Sequence, residues 1–225
     1  WPQLWKQVHS AQVSGQTRSL LFFIMHQALP LLYRSWIARY YNLPPTCLLC
    51  GEGSEDYEHL FVLCRKVRRV WREAATLLSE LRLPHLLPLT THSCLIGSPS
   101  SPHPCPPRVA WVSPAPPKPS AIGRWNALTW TEVRGVVLNV VWLERNRLLY
   151  SSPPRPTASK RRMTTRFWQG IRLVAIGKRW PHCEDQHGTG DRAAYFSSLW
   201  KHASALISER IVSPLLPHAL TPSNA

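Results

Sequence analysis

The chain has 225 residues, 27 of them Lys or Arg and 12 Asp or Glu, which gives a formal net charge of +15 at neutral pH. Hydrophobic residues make up 44% of the sequence, a share that excludes a wholly disordered basic tail. The longest apolar run, Val136–Leu143, is far shorter than the roughly 18 residues of a membrane helix, so we expect no membrane-spanning segment. The sequence starts at Trp1 without a signal-peptide pattern, and we interpret it as part of a longer protein.

The first of three predicted parts, residues 1–84, shows helical periodicity on both sides of a cysteine cluster. The strongly apolar stretch Ser19–Leu29 predicts a helix that Pro30 ends. Pro30 also suits the first turn of a second helix, which we expect to run to about Tyr41. After the second helix, the only extended pairing that the sequence allows is a short one around the turn at residues 47–50.

A third predicted helix follows Cys64 and is amphipathic. Its apolar residues share one face, at 100° per residue: Val67, Val70, Trp71, Ala74, Leu77, Leu78 and Leu81. Four arginines form the opposite side, which we call the arginine stripe: Arg65, Arg68, Arg69 and Arg72. The stripe is either a solvated face or a phosphate-contacting one, and the sequence alone does not separate the two.

Residues 85–120 form the second predicted part, an extended Pro/Ser-rich linker. Residues 84–119 contain 11 of the 22 prolines, a density that does not permit a regular helix or a central strand.

The third predicted part, residues 121–225, is a basic helical domain that carries 15 of the 27 Lys and Arg residues. Thr129–Glu132 fits a capping box that would start a helix running to about Tyr150. The centre of this helix, Val136–Trp142, is apolar on nearly all sides and predicts a buried core helix. Two more helices are expected near residues 157–178 and 191–212. Basic residues at and beyond the start of the first of these are further candidates for phosphate contact: Lys160, Arg161, Arg162, Arg166, Lys178 and Arg179.

The cysteine cluster has the spacing of a zinc site. Cys47, Cys50, His59 and Cys64 form the pattern C-x2-C-x8-H-x4-C, and three thiolates with one imidazole make a closed tetrahedral set for one structural zinc ion. The loop within the site is acidic, which argues against phosphate contact by the loop itself. The predicted fold is therefore mainly α: a small zinc-stabilised helical domain, a Pro-rich linker and a second, bundle-like helical domain.

The sequence also contains weaker candidates for a metal, catalytic or base-stacking site. His92 with Cys94 and His103 with Cys105 repeat a Cys/His spacing, but their Pro-rich surroundings favour chance. The polar residues near Asp191 could be read as a nuclease site, although an exposed loop is the better interpretation: His182, Glu184, Asp185 and His187. Cys183 shows no activating base, and Trp180 is a candidate for base stacking.

The zinc pattern and its flanks resemble the zinc-binding region of non-LTR (LINE-type) retrotransposon reverse transcriptases. The resemblance rests on Leu29-Pro30, Arg34, the two cysteines of the C-x2-C pair, Glu58-His59-Leu60-Phe61, Cys64 and Val70-Trp71. The acidic loop is normal in that family. Further on, Trp142-Leu143-Glu144-Arg145-Asn146-Arg147 is similar to a Trp-x-Glu-Arg-Asn-Arg segment found downstream in many of these elements.

The resemblance implies a module that binds RNA or DNA and supports target-primed reverse transcription, next to an upstream polymerase domain of the same polyprotein. We expect no catalysis by this segment itself, since the paired aspartates that hold the magnesium ions of a polymerase are missing from the sequence. We expect the protein in the nucleus or the cytoplasm, without membrane contact. Two alternatives stay open: a structural zinc module that packs on the polymerase or another protein, and a repurposed remnant of such an element.

Overall fold

The computed structural model describes residues 5–6, 8–9, 11, 13–81, 83, 89–96, 121–151, 158–177, 208 and 210, with the backbone alone at 121–125, 176 and 177. This part of the chain is mainly helical, as predicted, and its only extended pairing is an isolated bridge between Thr46 and Ser54. That bridge confirms the short pairing expected around the cysteine turn. No described helix combines the length and the apolar character required to span a membrane.

Helix α1, Gly15–Met25, begins four residues earlier than predicted because Ser14 caps it. The Ser14 hydroxyl accepts a hydrogen bond from the Thr17 amide at 3.1 Å, which satisfies one of the unpaired donors of the first turn. The helix also ends before the predicted Leu29, since Gln27 has a φ of 50°, a left-handed conformation that a helix cannot continue through.

Helix α2, Ser35–Tyr40, is shorter than the predicted helix from Pro30. The start at Pro30 is wrong because distant side chains bind the backbone there. The Glu55 carboxylate accepts from the Leu32 amide, and Arg145 donates to the Pro30 carbonyl. These contacts hold the segment between α1 and α2 in turns.

Helix α3, Arg68–Glu80, confirms the predicted amphipathic pattern. All seven residues of the predicted apolar face are buried, and all four arginines of the stripe are exposed. The Trp71 indole also donates a hydrogen bond to the Phe61 carbonyl at 2.7 Å, which fixes α3 against the zinc-binding segment.

A short helix, α4 (Thr91–Ile96), lies in the segment predicted as linker. Thr90 and Ser93 exchange amide-to-hydroxyl hydrogen bonds at its start, a reciprocal cap that stabilises so short a helix. The boundaries of the linker stay a prediction, because residues 97–120 lie outside the described part.

Helix α5, Ala121–Leu149, is the predicted core helix, and every residue from 129 to 138 is buried. The predicted start at Thr129 is wrong. Thr129 lies inside the helix with its side chain in the core, and the Thr131 hydroxyl donates to the Ala127 carbonyl one turn back. The capping-box pattern was therefore a chance match within a longer helix.

Helix α6, Lys160–Gly177, confirms the helix predicted near residues 157–178 and packs along α5. The two helices approach closely at Gly170, where an added Cβ would lie 2.7 Å from Cγ1 of Val136. Buried residues of α1, α3, α5 and α6 belong to one hydrophobic cluster, so both predicted helical parts contribute to the same core. The predicted domain boundaries themselves stay predictions. Of the helix expected near 191–212, the structure describes only Ser208 and Arg210, both helical.

Candidate metal centre and nucleic-acid interface

Two of the predicted ligands, Cys47 and Cys50, lie in a tight turn stabilised by backbone hydrogen bonds. The Cys47 amide donates to the Gly53 carbonyl at 3.0 Å, and the Gly51 amide donates to the Cys47 carbonyl at 2.8 Å. The Glu52 amide points to the Cys50 sulfur at 3.4 Å. Such N–H donors stabilise a thiolate, which is the form that binds a metal.

Gly53 closes this turn and makes room for the histidine. Its φ is 67°, a left-handed conformation that favours glycine, and a Cβ at this position would lie 3.0 Å from the His59 ring. A larger residue here would therefore push the imidazole out of the site.

The other two ligands lie at the ends of one helical turn, His59–Leu63. The Asp56 carboxylate accepts from the His59 amide at 2.8 Å and caps this turn. The Cys64 amide donates to the His59 carbonyl at 2.7 Å, which brings the thiol back towards the imidazole.

The four predicted ligands converge on one point. Their ligand atoms all lie within 4.8 Å of one another, with 4.0 Å between the sulfurs of Cys47 and Cys64 and 3.3 Å between Cys50 Sγ and His59 Nε2. A zinc ion about 2.0–2.3 Å from tetrahedral sulfur and nitrogen ligands places those ligands roughly 3.3–3.8 Å apart, so these atoms need to close in by about 1 Å at most to bind the ion. The predicted single Cys3His zinc site is confirmed, and it is the only such cluster among the described residues.

Electrostatics prepare the site for a cation. A hydrogen bond from Cys47, followed by the backbone amides of Lys66 and Val67, holds the pKa of the Cys64 thiol well below its usual range against the opposing effect of burial. The same pairing and burial raise the pKa of Cys47. A thiolate is thus favoured at Cys64, and a bound zinc ion would displace the remaining thiol protons.

Comparison with protein families agrees with this geometry. Residues 2–71 match the model of a family described as zinc-binding in reverse transcriptase. This segment is similar to the zinc-binding region of reverse transcriptases. The match covers this region alone and includes no polymerase catalytic domain. No curated protein and no solved structure matches the chain at a significant level.

The zinc-binding region is tied to α5 by a buried ion pair that the sequence analysis missed. Arg145 Nη2 lies 2.8 Å from Glu55 Oε1, and both side chains are almost completely inaccessible to solvent. The other carboxylate oxygen of Glu55 accepts from the amide of Leu48, which stands between the first two ligands. One carboxylate therefore connects the cysteine turn, the loop after α1 and the core helix.

Arg145 has its own set of partners. Besides Glu55 and the Pro30 carbonyl, its guanidinium lies 5.1 Å from the centre of the Trp142 ring. The signal in the sequence was an arginine within an otherwise buried helix, because a buried charge needs a partner. Glu55, an acidic residue of the loop within the zinc site, is that partner.

Glu144, the neighbour of Arg145, anchors the start of α6. Its carboxylate accepts from Arg147 at 2.8 Å and from the Ser159 amide at 3.4 Å, and Arg166 lies 3.9 Å away. Burial alone would raise the pKa of Glu144, but the hydrogen bond and charge of Arg147 lower it overall. Arg166, a predicted phosphate contact, thus faces a carboxylate of the protein.

The remaining arginines predicted to contact phosphate differ in whether they pair with groups of the protein itself. Arg65 pairs with Glu52 at 3.0 Å and donates to the Cys50 carbonyl, so it braces the zinc-binding region. By contrast, Arg68, Arg69 and Arg72 are exposed and form no ion pair with a carboxylate of the described chain.

The structure brings these three arginines near a second basic group. Lys66 Nζ donates to the Ala158 carbonyl, and the Trp168 indole donates to the Glu73 carboxylate, so α3 and α6 lie side by side and run in the same direction. Their N-terminal ends are therefore adjacent. We call the exposed cations at these ends the basic edge: Arg68, Arg69, Arg72, Lys160, Arg161 and Arg162.

The weaker candidates gain no support. His92 is exposed while Cys94 is buried, because residues two apart lie on different sides of α4. Other predicted or weighed residues lie outside the described part: His103, Cys105, Lys178, Arg179, Trp180, His182, Cys183, Glu184, Asp185, His187 and Asp191.

Proposed function

We propose that the protein is a nucleic-acid-binding zinc module of a retrotransposon reverse transcriptase polyprotein. In this proposal it holds RNA or DNA for target-primed reverse transcription next to an upstream polymerase domain, in the nucleus or the cytoplasm. The match of residues 2–71 to the zinc-binding family supports an association with a reverse transcriptase. The basic edge supports binding to a polyanion.

The observation that carries the proposal is the convergence of two helix starts. The first turns of α3 and α6 contain no acidic residue, and each contains at least two exposed cations. The aligned peptide dipoles add a partial positive charge at the same end of each helix. Phosphate groups are the natural ligands of such a surface.

Zinc contributes indirectly in this proposal. It fixes the segment that ends at Cys64, and the first exposed arginine of α3, Arg68, follows only four residues later. A bound ion would therefore determine where the basic edge begins, although the ion itself contacts no phosphate.

The direct test is a salt titration of binding to RNA and to DNA. If all six cations of the basic edge contact phosphates, log Kd should change with log salt with a slope of about 5 for a duplex and about 4 for a single strand. Weak retention that does not change from low to high salt would contradict nucleic-acid binding.

A double charge-reversal variant tests whether the basic edge is the surface that binds nucleic acid. Arg68→Glu with Arg69→Glu should weaken binding at low salt by at least about tenfold, since two phosphate contacts become repulsive. Acidic residues favour the first turn of a helix, so this change should not unfold α3. Lys6→Glu with Arg172→Glu is the matched control, because it makes the same change of charge at two exposed sites outside the basic edge.

A structural or protein-interaction role is the second candidate, and one observation favours it. The buried Glu55–Arg145 pair makes the zinc-binding region a brace for the helical core. This role predicts that reversal at Arg68 and Arg69 leaves nucleic-acid affinity unchanged while zinc removal unfolds residues 20–82.

A further inference from the structure

An exposed group of aromatic residues lies on and around α2. Trp36 and Tyr40 are four residues apart on α2 and therefore share one side of the helix, and Tyr33 lies in the turn just before it. Trp36 is 62% exposed and Tyr40 is 80% exposed. The buried residues of α2, Ile37 and Ala38, lie on the other side and attach the helix to the protein.

The end of α5 extends this group. Tyr150 is 69% exposed, and its hydroxyl lies 3.3 Å from that of Tyr41, with the two rings edge to face. Tyr41 in turn contacts Tyr40 with ring centres 5.0 Å apart. We call Tyr33, Trp36, Tyr40, Tyr41 and Tyr150 the aromatic face.

We propose that the aromatic face binds the bases of single-stranded nucleic acid by stacking, while the basic edge holds the phosphates. This inference rests on the proposed function and narrows its ligand to strands whose bases are unpaired. Every base offers a flat face to an aromatic ring, so such binding tolerates any sequence.

The position of the face fits this role. Glu144 binds the amide of Ser159, which immediately precedes the basic α6 start, and Tyr150 follows Glu144 by six residues. Six helical residues rise about 9 Å, so Tyr150 lies about this far along α5 from the carboxylate that holds the start of α6. One strand can therefore reach both surfaces.

Charge and composition favour nucleic acid over a protein partner. The segment of α2 contains Arg39 and no acidic residue, and the Arg34 guanidinium lies 5.6 Å from the centre of the Tyr33 ring. Aromatic rings and cations without a carboxylate in this segment suit the bases and the phosphates of one strand.

The test compares three probes with the full chain: an oligothymidylate strand, an abasic strand with the same number of phosphates, and a duplex of the same length. The wild type should bind oligothymidylate most tightly. Trp36→Ala with Tyr40→Ala should weaken binding of oligothymidylate by about fivefold or more for each side chain and leave the abasic strand and the duplex unchanged. Phe23→Ala, an exposed aromatic residue on α1, is the control and should change none of the three.

Folding is checked separately by zinc content and far-ultraviolet circular dichroism, and Trp36→Phe should restore most of the binding because it keeps an aromatic ring. Equal affinity of the wild type for all three probes, with no effect of the double variant, would overturn the stacking inference but leave the proposed function intact. If no probe binds in a salt-dependent manner, the proposed function fails as well. A changed oligomeric state in the double variant, with strand binding unaltered, would instead identify a protein surface and overturn the inference.

Discussion

The loop of the zinc-binding region and helix α5 are ordered by opposite means. Residues 51–54 are exposed and are positioned by backbone hydrogen bonds and by the ligands on either side. In α5, every residue from 129 to 138 is buried, so apolar burial is sufficient to order it. A loop with so little to bury cannot offset its conformational entropy without a metal.

The two regions meet at Glu55 and Arg145. The metal-ordered loop supplies the carboxylate and the apolar helix supplies the guanidinium, and each would be an unpaired buried charge without the other. The two regions therefore depend on each other although they are ordered differently.

The largest expected effect comes from removing the metal. Chelation, or Cys64→Ala, should disorder the zinc-binding region, since structural zinc contributes about 10–16 kcal/mol of apparent binding free energy in small zinc-finger peptides. The measurement is zinc content with amide hydrogen exchange, in which α5 should keep more protection than residues 47–64. Cys94→Ala, at a buried cysteine outside the site, should retain one zinc ion per chain. Unchanged hydrogen exchange at residues 47–64 after chelation would contradict the claim that the metal orders this region.

The second effect concerns the link between the regions. Arg145→Met should lower the free energy of unfolding by about 3–5 kcal/mol, because it leaves the Glu55 carboxylate buried without its cation. It should also accelerate zinc release, as Glu55 positions the amide between the two cysteines. Denaturant unfolding and release of zinc to a chromogenic chelator measure the two consequences.

The matching variant Arg65→Met removes the arginine of the exposed pair with Glu52 and should lower the free energy of unfolding much less. Adding Glu55→Gln to Arg145→Met should recover part of the loss. If the double variant is as unstable as the sum of the single ones, the two side chains are not coupled.

The smallest effect tests the packing of α5. Gly170→Ala should destabilise the protein by about 1–3 kcal/mol, because the new Cβ would clash with the stiff Val136 side chain. In a Val136→Ala background the same change should become neutral or stabilising by up to about 1 kcal/mol, since alanine is the better helix former. Thermal unfolding of the four variants measures the sign, and a loss of equal size in both backgrounds would exclude the clash.

Much of the site was predictable from the sequence because it depends on residues close together in the chain. The four zinc ligands lie within 18 positions, and their spacing alone defined the set. The buried face of α3 followed from periodicity in the same way. Helix ends were predicted less well: the Thr129 cap and the Pro30 start both failed, because burial and distant hydrogen bonds determine those positions.

The amino-acid sequence was enough to define the metal, its ligands and the mainly helical class, since coordination chemistry and helical periodicity act over a few residues. Only the tertiary structure shows which charged side chains form ion pairs within the protein. Glu55 and Arg145 are 90 positions apart, and nothing local identifies one as the partner of the other. The adjacent starts of α3 and α6 likewise arise from packing, because a helix can present its basic end to another only after their apolar faces have met.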